Sequence, residues 1–87
     1  MILPIAVEVR EGAGYIRYLD DKPAETVDLM KSCSVAADVN ADRGVIGIEI
    51  LDIASPEQIL VAKRFAREHN LGFPRDLTGT LVEEYVA

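Results

Sequence analysis

Apolar and polar residues alternate with period two over the first half of the chain and with a helical period over the second, the change falling near Ser55. Ile5, Val7 and Val9 alternate with Ala6, Glu8 and Arg10, the pattern of a half-buried strand. The paired glycines of Glu11–Gly14 permit the positive φ of a hairpin turn. Tyr15–Asp20 reads as a second strand, rich in aromatic and branched residues. Asp20–Pro23 reads as a turn and Glu25–Leu29 as a weaker edge strand. Next, Val35, Ala37 and Val39 share one face, with Ala36, Asp38 and Asn40 on the other. Val45–Ile53 carries the strongest strand signal. Ile46, Ile48 and Ile50 point one way, and the opposite set from Val45 to Ile53 is also mostly apolar, so cover is expected on both faces. Gly47 in its middle predicts close approach by a bulky group, or a bulge.

Ser55-Pro56-Glu57-Gln58 announces a helix: a hydroxyl N-cap, proline at the first helical position, and a glutamine placed to complete a capping box. Ile59, Val61, Ala62, Phe65 and Ala66 form an apolar stripe, and Lys63, Arg64, Arg67 and Glu68 face away. Leu60 falls on the charged side. The helix is expected to end near Asn70, with Gly72 beyond it and Pro74 preventing resumption. A second capping-box spacing, Thr80 to Glu83, predicts a short terminal helix over Leu81–Val86. The predicted fold is therefore α+β in a single domain spanning residues 1–87. Residues 1–54 form an antiparallel β-meander of four or five strands, and residues 55–87 a helical extension with one packed C-terminal helix and the short terminal one.

Composition narrows the partners. The chain of 87 residues carries a net charge of −6. Residues 1–54 hold five Lys/Arg against ten Asp/Glu, and residues 55–87 four against five, so the acidity sits in the strand region. An acidic surface repels phosphate backbones, which argues against nucleic acid and favours a basic protein partner or a cation. No apolar run approaches the roughly 18–20 residues that span a bilayer, so no membrane partner is expected. The apolar start is broken by Pro4 and followed by Glu8 and Arg10, unlike a signal segment. Cys33 is the one cysteine, which suits a reducing cytoplasm. A domain this small has a modest core and exposed strand edges, so a homodimer joined through strands or the C-terminal segment is expected.

Asp38, Asn40, Asp42 and Glu49 match the first, third, fifth and twelfth positions of a calcium loop. Such a loop needs glycine at its sixth position and helices on both sides. Here Arg43 takes that position, Gly44 comes one residue late, and both flanks alternate as strands, so a hairpin closed by a left-handed Gly44 is the preferred reading. On that reading Asp38, Asn40 and Asp42 point outward into solvent. His69 is read as a cap at the helix C-terminus rather than a ligand. Cys33, beside Lys31, is read as a small loop residue rather than a nucleophile. Glu49 among isoleucines is the carboxylate of greatest interest. Its two readings are a desolvated general acid and a cross-strand partner of Arg17, of which the second is favoured. Tyr15 and Tyr18 fall on opposite faces and so make no stacking platform. No phosphate loop, metal-ligand spacing or nucleophile motif is present, so neither a cofactor nor enzymatic activity is expected. The candidate cluster is Tyr15, Arg17 and Glu49.

The strand residues carry a likeness. Tyr15–Arg17, Glu25–Thr26, the hairpin from Asp38 to Gly44, and Gly47–Asp52 running into Ala54–Ser55 resemble the small prokaryotic family described as domain of unknown function 2283. The resemblance covers roughly residues 5–55, and the Gly47–Asp52 strand is its most specific part. Asn40 departs from the acidic residue usual in that hairpin, and residues 56–87 lie beyond it. The family name confers no activity. Members are small β-rich proteins, many encoded beside small toxin-like proteins, which implies an antitoxin-like or partner-binding role. The expected function is a non-catalytic protein-interaction module. The alternative is a small-molecule or weakly catalytic site around Glu49, Arg17 and Tyr15.

Overall fold

The computed structural model describes residues 1–75 and 77. Five strands and one helix run in the order β1 (Ala6–Arg10), β2 (Ala13–Arg17), β3 (Glu25–Asp28), β4 (Val35–Val39), β5 (Val45–Ile50) and α1 (Pro56–Glu68). Every strand pair is antiparallel, giving the expected α+β architecture. The sheet order is β1-β2-β5-β4-β3. The β1–β2 hairpin and the β3–β4–β5 meander therefore meet where β2 pairs with β5, and the chain leaving β2 passes to the far edge. In that one step the sheet departs from simple chain order. The helix expected over Leu81–Val86 lies outside the described residues. No helix among the described residues is long and apolar enough to cross a membrane.

The turns differ in detail from the expectation. Between β1 and β2, Glu11 and Gly12 take φ of 53° and 85°, a two-residue turn whose twist matches the strands it joins. Gly14 is a strand residue instead, and a Cβ there would stand 2.9 Å from Ile53 Cγ2. Between β4 and β5 the left-handed residue is Arg43, at φ 70°, and not Gly44. The Asn40 side chain explains this. Its Oδ1 accepts the amides of Asp42 (3.0 Å) and Gly44 (2.7 Å), while the Arg43 amide donates to the Asn40 carbonyl (3.0 Å), and these bonds fix the loop's course.

One face of the sheet and the helix share the core. Val7, Ile16, Val35, Ile48 and Ile50 are each 1% exposed or less, and the helix lays Ala62 and Ala66 against them. The alanines let the helix axis approach closely, while Ile59, Val61 and Phe65 seal its flanks half-buried. Each large aliphatic side chain so buried contributes roughly 1.5–3 kcal/mol. Leu60 is exposed, as its place on the charged side implied.

Ser55 caps the helix through a bond from the Gln58 amide to its Oγ (3.3 Å). The capping box is not reciprocal. The Ser55 amide already donates to the Asp52 carbonyl (3.0 Å), so Gln58 Oε1 accepts from the Asp52 amide instead (2.8 Å). At the other end His69 is the C-cap and Asn70 takes φ 58°. Leu71 donates to the Ala66 carbonyl (2.8 Å) and Asn70 to that of Arg67 (3.2 Å), a left-handed cap built on asparagine. The reversed chain then meets the N-terminus. Ile2 and Leu71 form a parallel bridge through Ile2 N–H to the Asn70 carbonyl (3.0 Å) and Gly72 N–H to the Ile2 carbonyl (2.7 Å). Tyr18, buried on the core side, donates its hydroxyl to the Gly72 carbonyl at 2.7 Å and locks that junction.

Candidate functional site

The strand register decides what stands on the face opposite the helix. One cross-strand row reads Glu8, Tyr15, Glu49, Ala36 and Asp28 from β1 to β3. The next reads Ala6, Arg17, Gly47, Asp38 and Thr26. Among the described residues the helix packs only on the other side, so this is an open sheet face. The sequence-derived cluster of Tyr15, Arg17 and Glu49 does come together on it.

The pairing inside the cluster differs from the expectation. Tyr15, not Arg17, stands directly opposite Glu49, while Arg17 stands opposite Gly47. The Arg17 guanidinium lies over the Tyr15 ring, with Cζ 5.4 Å from its centroid, and the ion pair among the described residues is the exposed one between Arg43 and Glu25 (3.6 Å). Glu49 is exposed, so the expected cover on both faces of β5 fails at that position. It is therefore not a desolvated acid.

Tyr15 reaches diagonally across β5. Its ring lies on Gly47, where any Cβ would collide with it, and its hydroxyl donates to Asp38 Oδ2 on β4 at 2.9 Å. Thr26 on β3 donates to the other oxygen, Oδ1, at 2.7 Å. The bulky neighbour that Gly47 predicted is thus Tyr15, and a register shift follows beside it between Asp38 and Val39. Asp38 and Thr26 are members of the site that sequence reasoning missed. Asp38 is half-buried and engaged, while Asn40 and Asp42 belong to the turn, so the three do not form one solvated row. The glycine amid isoleucines was the available signal, since something had to fill its place.

Burial raises the Tyr15 hydroxyl well above the ordinary tyrosine range. The hydrogen bond to Asp38 and the charges of Asp38 and Glu49 push the same way, with Arg17 opposing. Burial alone raises Tyr18 similarly. Both folded hydroxyls thus keep their protons above the pH, about 10, at which an unfolded tyrosine loses them. Their contribution to stability is full below that pH and is lost as the pH rises beyond it. In a Tyr85→Phe background, which leaves these two as the tyrosines that absorb, an alkaline titration followed by circular dichroism and tyrosinate absorbance should show ionisation coinciding with unfolding. Free ionisation of both residues near pH 10 in a still-folded protein would contradict the placement.

The remaining candidates lie apart. Cys33 is exposed in the β3–β4 connection at φ 58°, and the Asp28 carboxylate raises its thiol by accepting from it and by its charge, which leaves a poorer nucleophile. His69 Nδ1 lies 2.9 Å from the Phe65 carbonyl and its ring rests against Phe65, as a helix cap does. Two grooves, of about 470 Å³ beside Ile53, Ile59 and Phe73 and about 290 Å³ beside Met1, Arg67 and Leu71, contain none of Tyr15, Arg17 or Glu49. Compared with known proteins, the chain matches no family model, no curated protein and no solved structure.

Proposed function

We propose that this chain is a non-catalytic protein-interaction module whose open sheet face docks a small basic protein, in an antitoxin-like role within a reducing cytoplasm. The observation that carries the reading is the face itself: Tyr15 and Arg17 stacked at its centre, with Glu8, Glu49 and Asp28 exposed along the same row. Tyrosine and arginine are the side chains that most often dominate binding energy at interfaces. Here each is pre-positioned, the ring by Gly47 and Asp38 and the guanidinium by the ring, so little rotamer freedom is lost on docking. The carboxylates supply steering and select a positively charged partner. The same acidity disfavours face-to-face pairing of two copies. For the homodimer expected from the sequence we propose the β1 edge instead, where Glu8 and Arg10 of antiparallel copies would offer opposite charges to each other.

The test is purification of the tagged protein from its source under mild salt, with Tyr15→Ala and Arg17→Ala beside it. A stoichiometric small basic protein should be recovered, and each variant should weaken its binding by about thirtyfold, the effect of an interface hot spot near 2 kcal/mol. Recovery of no such protein, or binding indifferent to both variants, would remove the reading. A small-molecule site on Glu49, Arg17 and Tyr15 is the weaker alternative, because the described grooves lie elsewhere and the Tyr15 hydroxyl is already committed to Asp38.

A further inference from the structure

Among the described residues the sheet ends at β1 on one side and β3 on the other, and neither outer edge has a strand beside it. The two edges differ in which of their groups are free and in what charge surrounds them. On β3 the bond from Leu29 N–H to the Val35 carbonyl (2.8 Å) sets the alternation. Glu25, Val27 and Leu29 turn their backbone groups inward to β4, and Thr26 and Asp28 turn theirs outward. Natural edges are blunted by lysine, proline or a covering loop. Between Glu25 and Asp28 there is no lysine and no proline, and three of the four residues are exposed. Both charges on the strand are negative, so a second β3 strand would meet like charge. β1, in contrast, mixes Glu8 with Arg10.

We infer that the β3 edge is an acceptor for strand addition by an extended basic segment of the partner. This deepens the interaction reading, on which it rests, by naming how that partner is held. Strand addition takes its affinity from main-chain bonds and its specificity from alternate side chains. An antiparallel segment, continuing the hand of this sheet, would place a basic residue opposite Asp28 on the open face and another opposite Glu25 on the helix face, where it would share that carboxylate with Arg43. Between them an apolar residue falls beside the half-buried Val27. Read from its N-terminus, the segment is basic, apolar, any residue, basic. Its first and third residues would exchange bonds with Asp28 and Thr26. The added strand also extends the open face, so the edge and the face form one continuous surface.

The probe is an acetylated, amidated and fluorescently labelled peptide with the core Lys-Val-Thr-Lys flanked by glycines, titrated against the full chain by fluorescence anisotropy at low salt. It should bind, and amide chemical shifts should move at Thr26 and Asp28. N-methylation of the first lysine and the threonine, which keeps charge and composition, should weaken binding at least about tenfold. N-methylation of the valine and second lysine should leave it within about twofold, since those amides face away. Asp28→Lys should weaken the parent peptide by a similar factor, with an unchanged circular dichroism spectrum. No binding, equal binding of both methylated peptides, or shifts confined to Val7 and Val9 would overturn the inference. Peptide binding without recovery of any basic protein would sink the docking reading and leave the edge standing. A recovered protein whose affinity ignores Asp28→Lys would sink the edge alone.

Discussion

Replacing Ile48 with alanine is expected to cost about 3–4 kcal/mol, the upper part of the range for a buried aliphatic residue that its surroundings cannot replace. Ile48 has no exposed surface and lies on the central strand, paired with Ile16 on β2 and Ala37 on β4, with Ala62 and Ala66 in the cluster that covers it. Sheet neighbours held by hydrogen bonds on both sides relax little, and the covering alanines have no longer side chain to swing into the gap. Domains of this kind are stable by roughly 5–15 kcal/mol, so a large part of the margin would go. At about 4–8 °C per kcal/mol the midpoint should fall by roughly 15–25 °C. Calorimetry would check it, with Ile48→Val expected to cost only about 1 kcal/mol and Leu60→Ala, on the exposed side of the helix, within about 0.5 kcal/mol of neutral. A fall of less than about 1 kcal/mol for Ile48→Ala would mean that the helix does not cover β5 as described.

The elements themselves were legible because they are local. Alternation marked β1, an apolar run rich in branched residues marked β5, and Ser55-Pro56 marked the start of the helix to the residue. What stayed hidden depends on partners distant in sequence. The pairing of β2 with β5 puts Tyr15 opposite Glu49, and a register shifted by two residues would have given the Arg17 partner that charge alone suggested. Both residues were correctly placed on one face, since period two survives any even shift, but the choice of neighbour does not follow from the pattern. The Arg43 and Asn70 conformations were missed for another reason. Glycine is the default expectation at a left-handed position, yet side-chain and cap hydrogen bonds hold other residues there. The Tyr15–Asp38–Thr26 chain joins three strands and leaves only one trace in the sequence, the missing side chain at residue 47.

That trace yields the second large effect. Gly47→Ala places a methyl group where the Tyr15 ring lies, with Cε2 only 2.6 Å from the new Cβ, and Gly47 is on the central strand, where the backbone has little room to retreat. The ring must leave. Its hydroxyl then loses Asp38, Thr26 alone remains to satisfy that carboxylate, and Arg17 loses the surface it rests on. Overpacking and one lost charge-assisted bond together are expected to cost about 2–4 kcal/mol. Placing the same change in a Tyr15→Ala background separates this account from a general intolerance of the strand. With the ring gone, the three nearest atoms that the added methyl would meet are gone too, and the methyl removes some freedom from the unfolded chain, so Gly47→Ala should then be neutral or stabilising by up to about 1 kcal/mol. The cycle should give a coupling of at least about 2 kcal/mol. Tyr15→Phe divides it further, since it keeps the ring on Gly47 and removes only the bond to Asp38. It should cost about 1–2 kcal/mol and still penalise Gly47→Ala. If Gly47→Ala were as costly with alanine at residue 15 as with tyrosine, the glycine would be serving the backbone rather than the ring. Tyr15 would then not be held in place by β5, and the rigid aromatic centre assigned to the open face would lose its support.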